Sequence, residues 1–205
     1  MKKILIALGA IIVIALIAAA AMPKTFGYED SITIEASPSN VWKHAGSLKG
    51  MDAWSPWMAK DENIKHTWEG EDGAVGSSNC WDSQVEEVGA GCQKVVEVEE
   101  NKAFLTELNF TRPNEGLGKG YTYLEEDGEG TKVRWGFESE MPWPFNLMIP
   151  MMDMEKQMGE DWSNGLSKLK ELSEASSAEE KRIAEEAAAA AEQEAAMEEQ
   201  SSTEE

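Results

Sequence analysis

Trp143–Leu172 reads WPFNLMIPMMDMEKQMGEDWSNGLSKLKEL, and the reading of this stretch decides the fold. Apolar or small residues fall at Leu147, Met151, Met154, Met158, Trp162, Gly165, Leu169 and Leu172, in steps of three and four. That spacing puts them on one face of a helix. Asp153, Lys156, Gln157, Glu160, Asp161, Lys168 and Glu171 take the opposite face. A helix of roughly 20 residues spans about 30 Å, enough to cross a small domain. Pro142, Pro144 and Pro150 predict a kink or a late start near Pro150. The wide, methionine-rich stripe needs a cover, and residues 26–140 supply one, because they read almost throughout as strand and turn. The predicted class is α+β: a curved sheet closing on this one helix.

Upstream, residues 25–36 alternate at Ile32 and Ile34 and read as a first strand. Ser37-Pro38-Ser39-Asn40 is a helix start, with Val41, Trp42, Ala45 and Leu48 as its apolar face and Gly50 as its stop. Met51–Trp57 is a loop or short turn carrying Trp54 and Trp57. Further strands are predicted at 64–68, 77–81, 92–98, 103–110, 120–124 and 131–137, with turn chemistry between them, as at Gly70-Glu71-Asp72-Gly73. Short runs at regular spacing predict antiparallel pairing.

The two ends differ from this body. Lys2 and Lys3 precede an uncharged run from Ile4 to Met22, which Pro23 and Lys24 end. In a helix this run spans about 28 Å, close to a bilayer core. It reads as a single-pass anchor, with a cleavable signal peptide as the alternative because Ala18–Ala21 offer a small-residue cleavage site. Its length favours the anchor. The amino-terminal lysines put the body on the extracytoplasmic, periplasmic side if the anchor is kept, and cleavage would secrete it. From Glu174 onward, eleven Glu face only Lys181 and Arg182, within a chain of net charge −21. Ser177-x-x-Glu180 is a capping-box pattern, and the Ala/Glu-rich run after it has high helix propensity. With only Ile183 and Met197 as large apolar residues, the tail reads as a solvated helix or as disordered. The expected divisions are therefore 1–24, 25–173 and 174–205. Such acidity excludes a nucleic-acid interface, which needs basic patches.

The order of parts is recognisable from the S-P-S-N-V-W helix start, Trp54-Ser55-Pro56-Trp57, Glu87-Val88-Gly89-Ala90-Gly91, Thr131-Lys132-Val133-Arg134-Trp135 and Met141–Asn146. Over about residues 1–173 the chain resembles the polyketide cyclase/dehydrase-like proteins of the START-like (SRPBCC) superfamily, most of all a bacterial, membrane-anchored subgroup of unassigned function. The resemblance implies the helix-grip fold, a seven-stranded antiparallel sheet wrapped around the long C-terminal helix with a cavity between them. It implies binding of hydrophobic small molecules in most members and cyclase or dehydratase activity in a few. It carries no common catalytic set, so the catalytic residues stay unassigned.

The residues expected to bind ligand are Trp54, Trp57, Trp81, Phe110, Trp135, Met151, Met158 and Trp162. Large aromatics and adaptable methionines suit a mostly apolar cavity, although ordinary core packing explains any one of them as well. Trp54 and Trp57 are expected at its mouth, and Met158 and Trp162 in its interior. Asp52 reads as a turn or cap residue, with general acid–base work in a pocket as the alternative. His44 and His66 lack a nucleophile pattern and read as solvated. Arg112 and Arg134 suit either an anionic ligand group or exposed strand positions. Gly116-x-Gly118-x-Gly120 precedes a strand instead of opening a helix, so it reads as strand entry and not as a phosphate loop. Cys80 and Cys92 lack a second ligand pair for a metal, so no metal site or cofactor is expected. A hairpin centred on Glu86 sets them opposite each other for a disulfide, whereas a turn at Ser83-Gln84 offsets them.

Three functional readings follow. The leading one is a membrane-anchored extracytoplasmic protein that binds a lipid-like or aromatic molecule. The others are a cyclase/dehydratase-type enzyme using the same cavity, and an interaction protein with a filled core.

Overall fold

The structure is a computed structural model that describes residues 2–203. A 20-residue helix, α1 (Lys2–Ala21), leads into strand β1 (Thr25–Ile34). Three short helices follow: α2 (Pro38–Ala45), α3 (Leu48–Asp52) and α4 (Pro56–Lys60). Then come β2 (Lys65–Glu69), β3 (Ser78–Asp82), β4 (Ala90–Glu99), β5 (Ala103–Arg112), β6 (Gly116–Asp127) and β7 (Gly130–Glu140). A 3-10 segment, Phe145–Met151, precedes the last helix, α5 (Met154–Thr203).

All seven strands pair antiparallel in the order β1-β7-β6-β5-β4-β3-β2. The three short helices carry the chain from one sheet edge to the other, and hairpins bring it back until β7 lies beside β1. Strand parity then fixes one concave face. Ile32 and Ile34, His66 and Trp68, Asn79 and Trp81, Gln93 and Val95, Thr106 and Leu108, Gly120 and Thr122, and Val133 and Trp135 share it. Register shifts in β4 at Ala90/Gly91 and at Val95/Glu97 bend the sheet around the helix. This is the helix-grip arrangement.

The sequence expected one helix through Leu48. Gly46 closes α2, and Ser47 caps a separate α3, accepting from the Gly50 N–H at 3.0 Å. Ser37 caps α2, with Pro38 in its first turn. The late start near Pro150 is explained at Asp153, whose carboxylate accepts from the Lys156 N–H at 3.1 Å and caps α5.

The stripe of α5 packs as Trp162, Leu166 and Leu169, each almost fully buried against Ile34, Val41, Trp54, Val133 and Trp135. A second cluster of Leu48, Val95 and Phe104 fills the far half of the sheet. Leu166 was not on the expected stripe. It widens the buried face to the i, i+3, i+4 pattern of a helix held on more than one side.

No break marks the expected division at 173/174, because α5 continues as one helix to Thr203. Ser173 and Ser177 are buried. Glu174 accepts from the Glu35 N–H at 2.9 Å, Ser176 bonds His44 Nε2 at 2.9 Å, and Glu180 pairs with Lys43. Residues 181–194 are exposed. The packed body therefore reaches about Glu180, because α2 lies against the helix beyond residue 173. Removing 181–205 is expected to leave the thermal midpoint unchanged. Removing 174–205 is expected to cost about 1–2 kcal/mol, the worth of the Glu174 and Ser176 hydrogen bonds. Equal midpoints for the two truncations in a melting experiment would count against this boundary.

Candidate functional site

Between the near half of the sheet and the start of α5 lies a cavity of about 270 Å³, near the lower end of ligand-site volumes. Its walls are mainly aromatic. Trp135 and Trp162 stack with centroids 4.6 Å apart, Trp54 meets Trp135 edge-on at 4.7 Å, and Trp57 meets Trp162 edge-on at 5.3 Å. On the opposite side Trp81, Phe110 and Phe137 form an edge-to-face chain with spacings of 5.8 and 6.0 Å. Such pairs are the preferred aromatic geometries. Three indole N–H groups are committed to backbone carbonyls: Trp54 to His44 at 3.0 Å, Trp81 to Val88 at 3.1 Å and Trp162 to Trp135 at 3.0 Å. The rings are thereby held in fixed planes and turn apolar surface toward the space.

The cavity brings together Trp54, Trp57, Trp81, Phe110, Trp135, Met158 and Trp162. Met151 is placed elsewhere. It ends the 3-10 segment, 85% exposed, because the helical period that put it on the stripe begins only after Asp153. Trp54 is a wall residue and not a mouth residue, being 2% exposed behind Trp135. Trp57 and Met58, on α4, cover the space from the side. Lys60 ties α4 to α5 through Asp161 at 2.7 Å.

Glycines make room where side chains would fill it. Gly120 faces the cavity, and a Cβ there would stand 2.8 Å from Thr106 Oγ1. The G-x-G-x-G run is thus part of β6, with period-two glycines on the concave face. Gly91 leaves space for the Trp81 ring, which a Cβ would approach to 2.8 Å. Gly89 has φ +62°, and its α-carbon lies against the Arg112 carbonyl, where no side chain fits.

Two polar patches interrupt the apolar lining. The inner one holds Asp52, Asn79 and Gln93. Gln93 Nε2 donates to Thr106 Oγ1 at 2.8 Å. His66 Nδ1 lies 3.0 Å from Asn79 Oδ1 and 3.9 Å from Asp52 Oδ2. Burial pushes the Asp52 carboxyl up to about 6, against the opposing influence of His66. The outer patch holds Glu87 and Arg112. Arg112 pairs with Asp82 and donates to the Ser83 carbonyl at 3.1 Å. The inner patch lies beside Asn79 in β3, and the outer one lies toward the end of that strand, where Arg112 pairs with Asp82. A shallower hollow lined by Lys60, Val85, Glu86, Glu87 and Pro113 shares Glu87 and Pro113 with the cavity and marks its opening.

These placements correct the sequence readings of His66 and His44 and decide between alternatives at Asp52, Arg134 and the cysteines. Asp52 ends α3 and also faces the cavity. His66 faces inward, and its parity with Trp68 was the available signal. His44 is half-buried against Ser176, and burial lowers its pKa. Arg134 lies on the outer face with Glu29 and Glu125, away from the cavity. Cys80 and Cys92 are register partners joined in a disulfide on that outer face, as the hairpin centred on Glu86 requires.

The raised Asp52 pKa has a stability consequence. The folded state holds this proton more tightly than the unfolded chain, whose carboxyl titrates near 3.9. The contribution of Asp52 is therefore fully present below about pH 4 and is lost as pH rises through about 6. Asp52→Asn is expected to flatten the stability profile between pH 4 and 6. Above pH 6 the variant should be more stable by about 1 kcal/mol, a figure reduced for partial solvent access. Parallel wild-type and variant profiles across that window in urea titrations would contradict the assignment.

The family described as polyketide cyclase / dehydrase and lipid transport matches residues 25–174. No curated protein matches the chain. Among solved structures, a protein of Rhizobium loti is similar with a TM-score of 0.52 at 12% identity, covering 72% of this chain and 96% of its own. A protein of Thermobifida fusca gives 0.52 at 16% identity, with 72% and 92% covered. One of Nitrosospira multiformis gives 0.51 at 16%, with 70% and 93% covered. At these identities the likeness is one of fold.

Proposed function

The chain belongs to the polyketide cyclase / dehydrase and lipid transport family, and on that premise we propose that it is a membrane-anchored, extracytoplasmic binding protein for a hydrophobic small molecule. The observation that carries this reading is the aromatic cavity between sheet and helix, where the packing that fills the far half of the sheet gives way to space. The two polar patches favour an elongated ligand with an apolar body and a polar group at one or both ends. The uncharged α1 helix supports the anchor, and the Cys80–Cys92 disulfide supports an oxidising compartment. The same cavity argues against the filled-core interaction protein.

The test is a thermal-shift screen of fatty acids, isoprenoids and aromatic polyketides on the full chain in nanodiscs. A ligand at a hundred times its Kd adds about 2.7 kcal/mol, a rise of about 5–10 °C for a domain of this size. Trp57→Ala is expected to weaken binding about tenfold with little loss of fold, since Trp57 is only partly buried. If no compound raises the midpoint and native mass spectrometry finds nothing bound, the reading fails.

Asp52 favours a second reading, acid–base catalysis of the cyclase or dehydratase type. A carboxyl with a pKa of about 6 at the wall of an apolar cavity is suited to exchange a proton near neutral pH. Under this reading Asp52→Asn abolishes turnover while ligand still binds. Under the binding reading the variant changes affinity alone.

A further inference from the structure

The large apolar side chains that the domain leaves exposed are concentrated at one end. The register of the sheet defines that end by Thr25, Glu140, Gly116 and Ala90. Phe145 is 62% exposed, Met148 56%, Met151 85% and Leu117 71%, with Trp143 half-exposed among them. Val75 and Val96 lie toward the other end. The crowded end is also where α1 enters β1 and where Phe110, Arg112, Pro113 and Glu87 line the opening of the cavity.

The 3-10 segment is locked to α1. Asn146 is fully buried, and its side-chain amide donates to the carbonyls of Ala19, Met22 and Pro23 at 2.7, 3.3 and 3.3 Å. It thereby closes the carboxyl end of α1, whose last carbonyls have no partner within the helix. Trp143 Nε1 donates to the Leu16 carbonyl at 3.2 Å. Leu16 lies five residues before the end of α1, so the segment flanks the last turns of that helix over about 8 Å. The 20 residues of α1 span about 30 Å, the thickness of a hydrocarbon core, and leave no length to spare. Whatever flanks its last turns therefore sits at interfacial depth, the depth at which amphipathic segments and tryptophans settle.

We propose that Trp143–Met151, together with Leu117, is seated in the same bilayer that α1 crosses, holding the domain with the opening of its cavity against the membrane. The proposal rests on the anchor reading of α1. The occupant of the patch is lipid, because the helix to which the patch is bonded is the one that enters lipid. The charge layout agrees. Helix α5 begins at this end and carries the acidic Ala/Glu-rich run out beyond the opposite one. Glu86, Glu87 and Glu115 at the near end favour an uncharged interface over an anionic one.

The test uses the full chain in phosphatidylcholine vesicles, its disulfide intact, with one nitroxide attached in turn through Phe145→Cys, Met148→Cys, Leu117→Cys, Val96→Cys or Ile12→Cys. Collision with oxygen, which concentrates in lipid, is compared with collision with a water-soluble nickel chelate. Labels at 145 and 148 are expected about 5–10 Å below the phosphates, 117 at the phosphate level, 96 in water and 12 in the hydrocarbon core. If 145 and 148 meet the nickel reagent as freely as 96 while 12 remains in lipid, the seat is overturned and the anchor stands. If 12 is also in water, both fall. If 145 and 148 are shielded from both reagents, protein covers the patch, as in a second copy of this chain, and the proposal is overturned.

Discussion

Trp162→Ala is expected to lower folding stability by about 4 kcal/mol, the range for removing a large aromatic from a packed core. Trp162 is 2% exposed and holds three neighbours at once: Trp135 stacked at 4.6 Å, Trp57 edge-on at 5.3 Å and Tyr28 edge-on at 5.7 Å. Its N–H also satisfies the Trp135 carbonyl, which truncation would leave buried without that donor. Because this ring joins α5 to the wall of the cavity, the loss should appear both in the urea midpoint and in ligand affinity. Trp162→Phe keeps most of the apolar area and loses the hydrogen bond, and should cost about half as much. A loss below about 1 kcal/mol for the alanine variant would mean that the sheet does not grip the helix at this point.

The second large effect belongs to the disulfide. Replacing Cys80 and Cys92 together by serine is expected to cost about 3 kcal/mol, because the bond closes a short loop in the unfolded chain and removes much of its freedom. The cost should fall on the site as well as on the fold. β3 and β4 carry Asn79, Trp81 and Gln93 into the cavity, and β3 is otherwise held on its outer side only by the five-residue β2 at the sheet edge. Faster amide exchange confined to β2 and β3 is the expected signature in the serine variant, and reduction of the wild type should reproduce it. Unchanged exchange and an unchanged melting midpoint would show that the hairpin is held by its ladder alone.

Much of the fold was legible in the sequence because it rests on local periodicity. The steps of three and four from Met154 to Leu172, the alternation at Ile32 and Ile34, the short runs bounded by turn residues and the S-P-S-N cap are local signals that need no distant partner to be recognised. The unbroken apolar run from Ile4 to Met22 did the same for α1; these parts indicated a curved sheet closing on one helix, and the family resemblance implied the helix-grip arrangement. The spacing of Cys80 and Cys92 reduced their relation to two hairpin geometries.

What the tertiary structure decided was wherever two elements distant in the chain meet. Asp52 and His66 lie on a short helix and an edge strand, and only the crossover through α4 brings His66 beside the Asp52 that lines the cavity. Trp54 is expected at a mouth because it lies on a turn, but it packs edge-on behind Trp135 and is buried. Met151 has the right spacing for the stripe and the wrong backbone, since Asp153 starts the helix after it. The choice between the two hairpins appears only in the register that pairs Cys80 with Cys92, where Gly89 takes a positive φ against the Arg112 carbonyl. Asn146 shows no periodicity at all, and its role appears only when the carboxyl end of α1 comes to rest beside it. The sequence by itself determined the elements and their order, because periodicity is a property of neighbours along the chain. The cavity and its two polar patches were decided only by packing, because they are properties of residues that the chain keeps far apart.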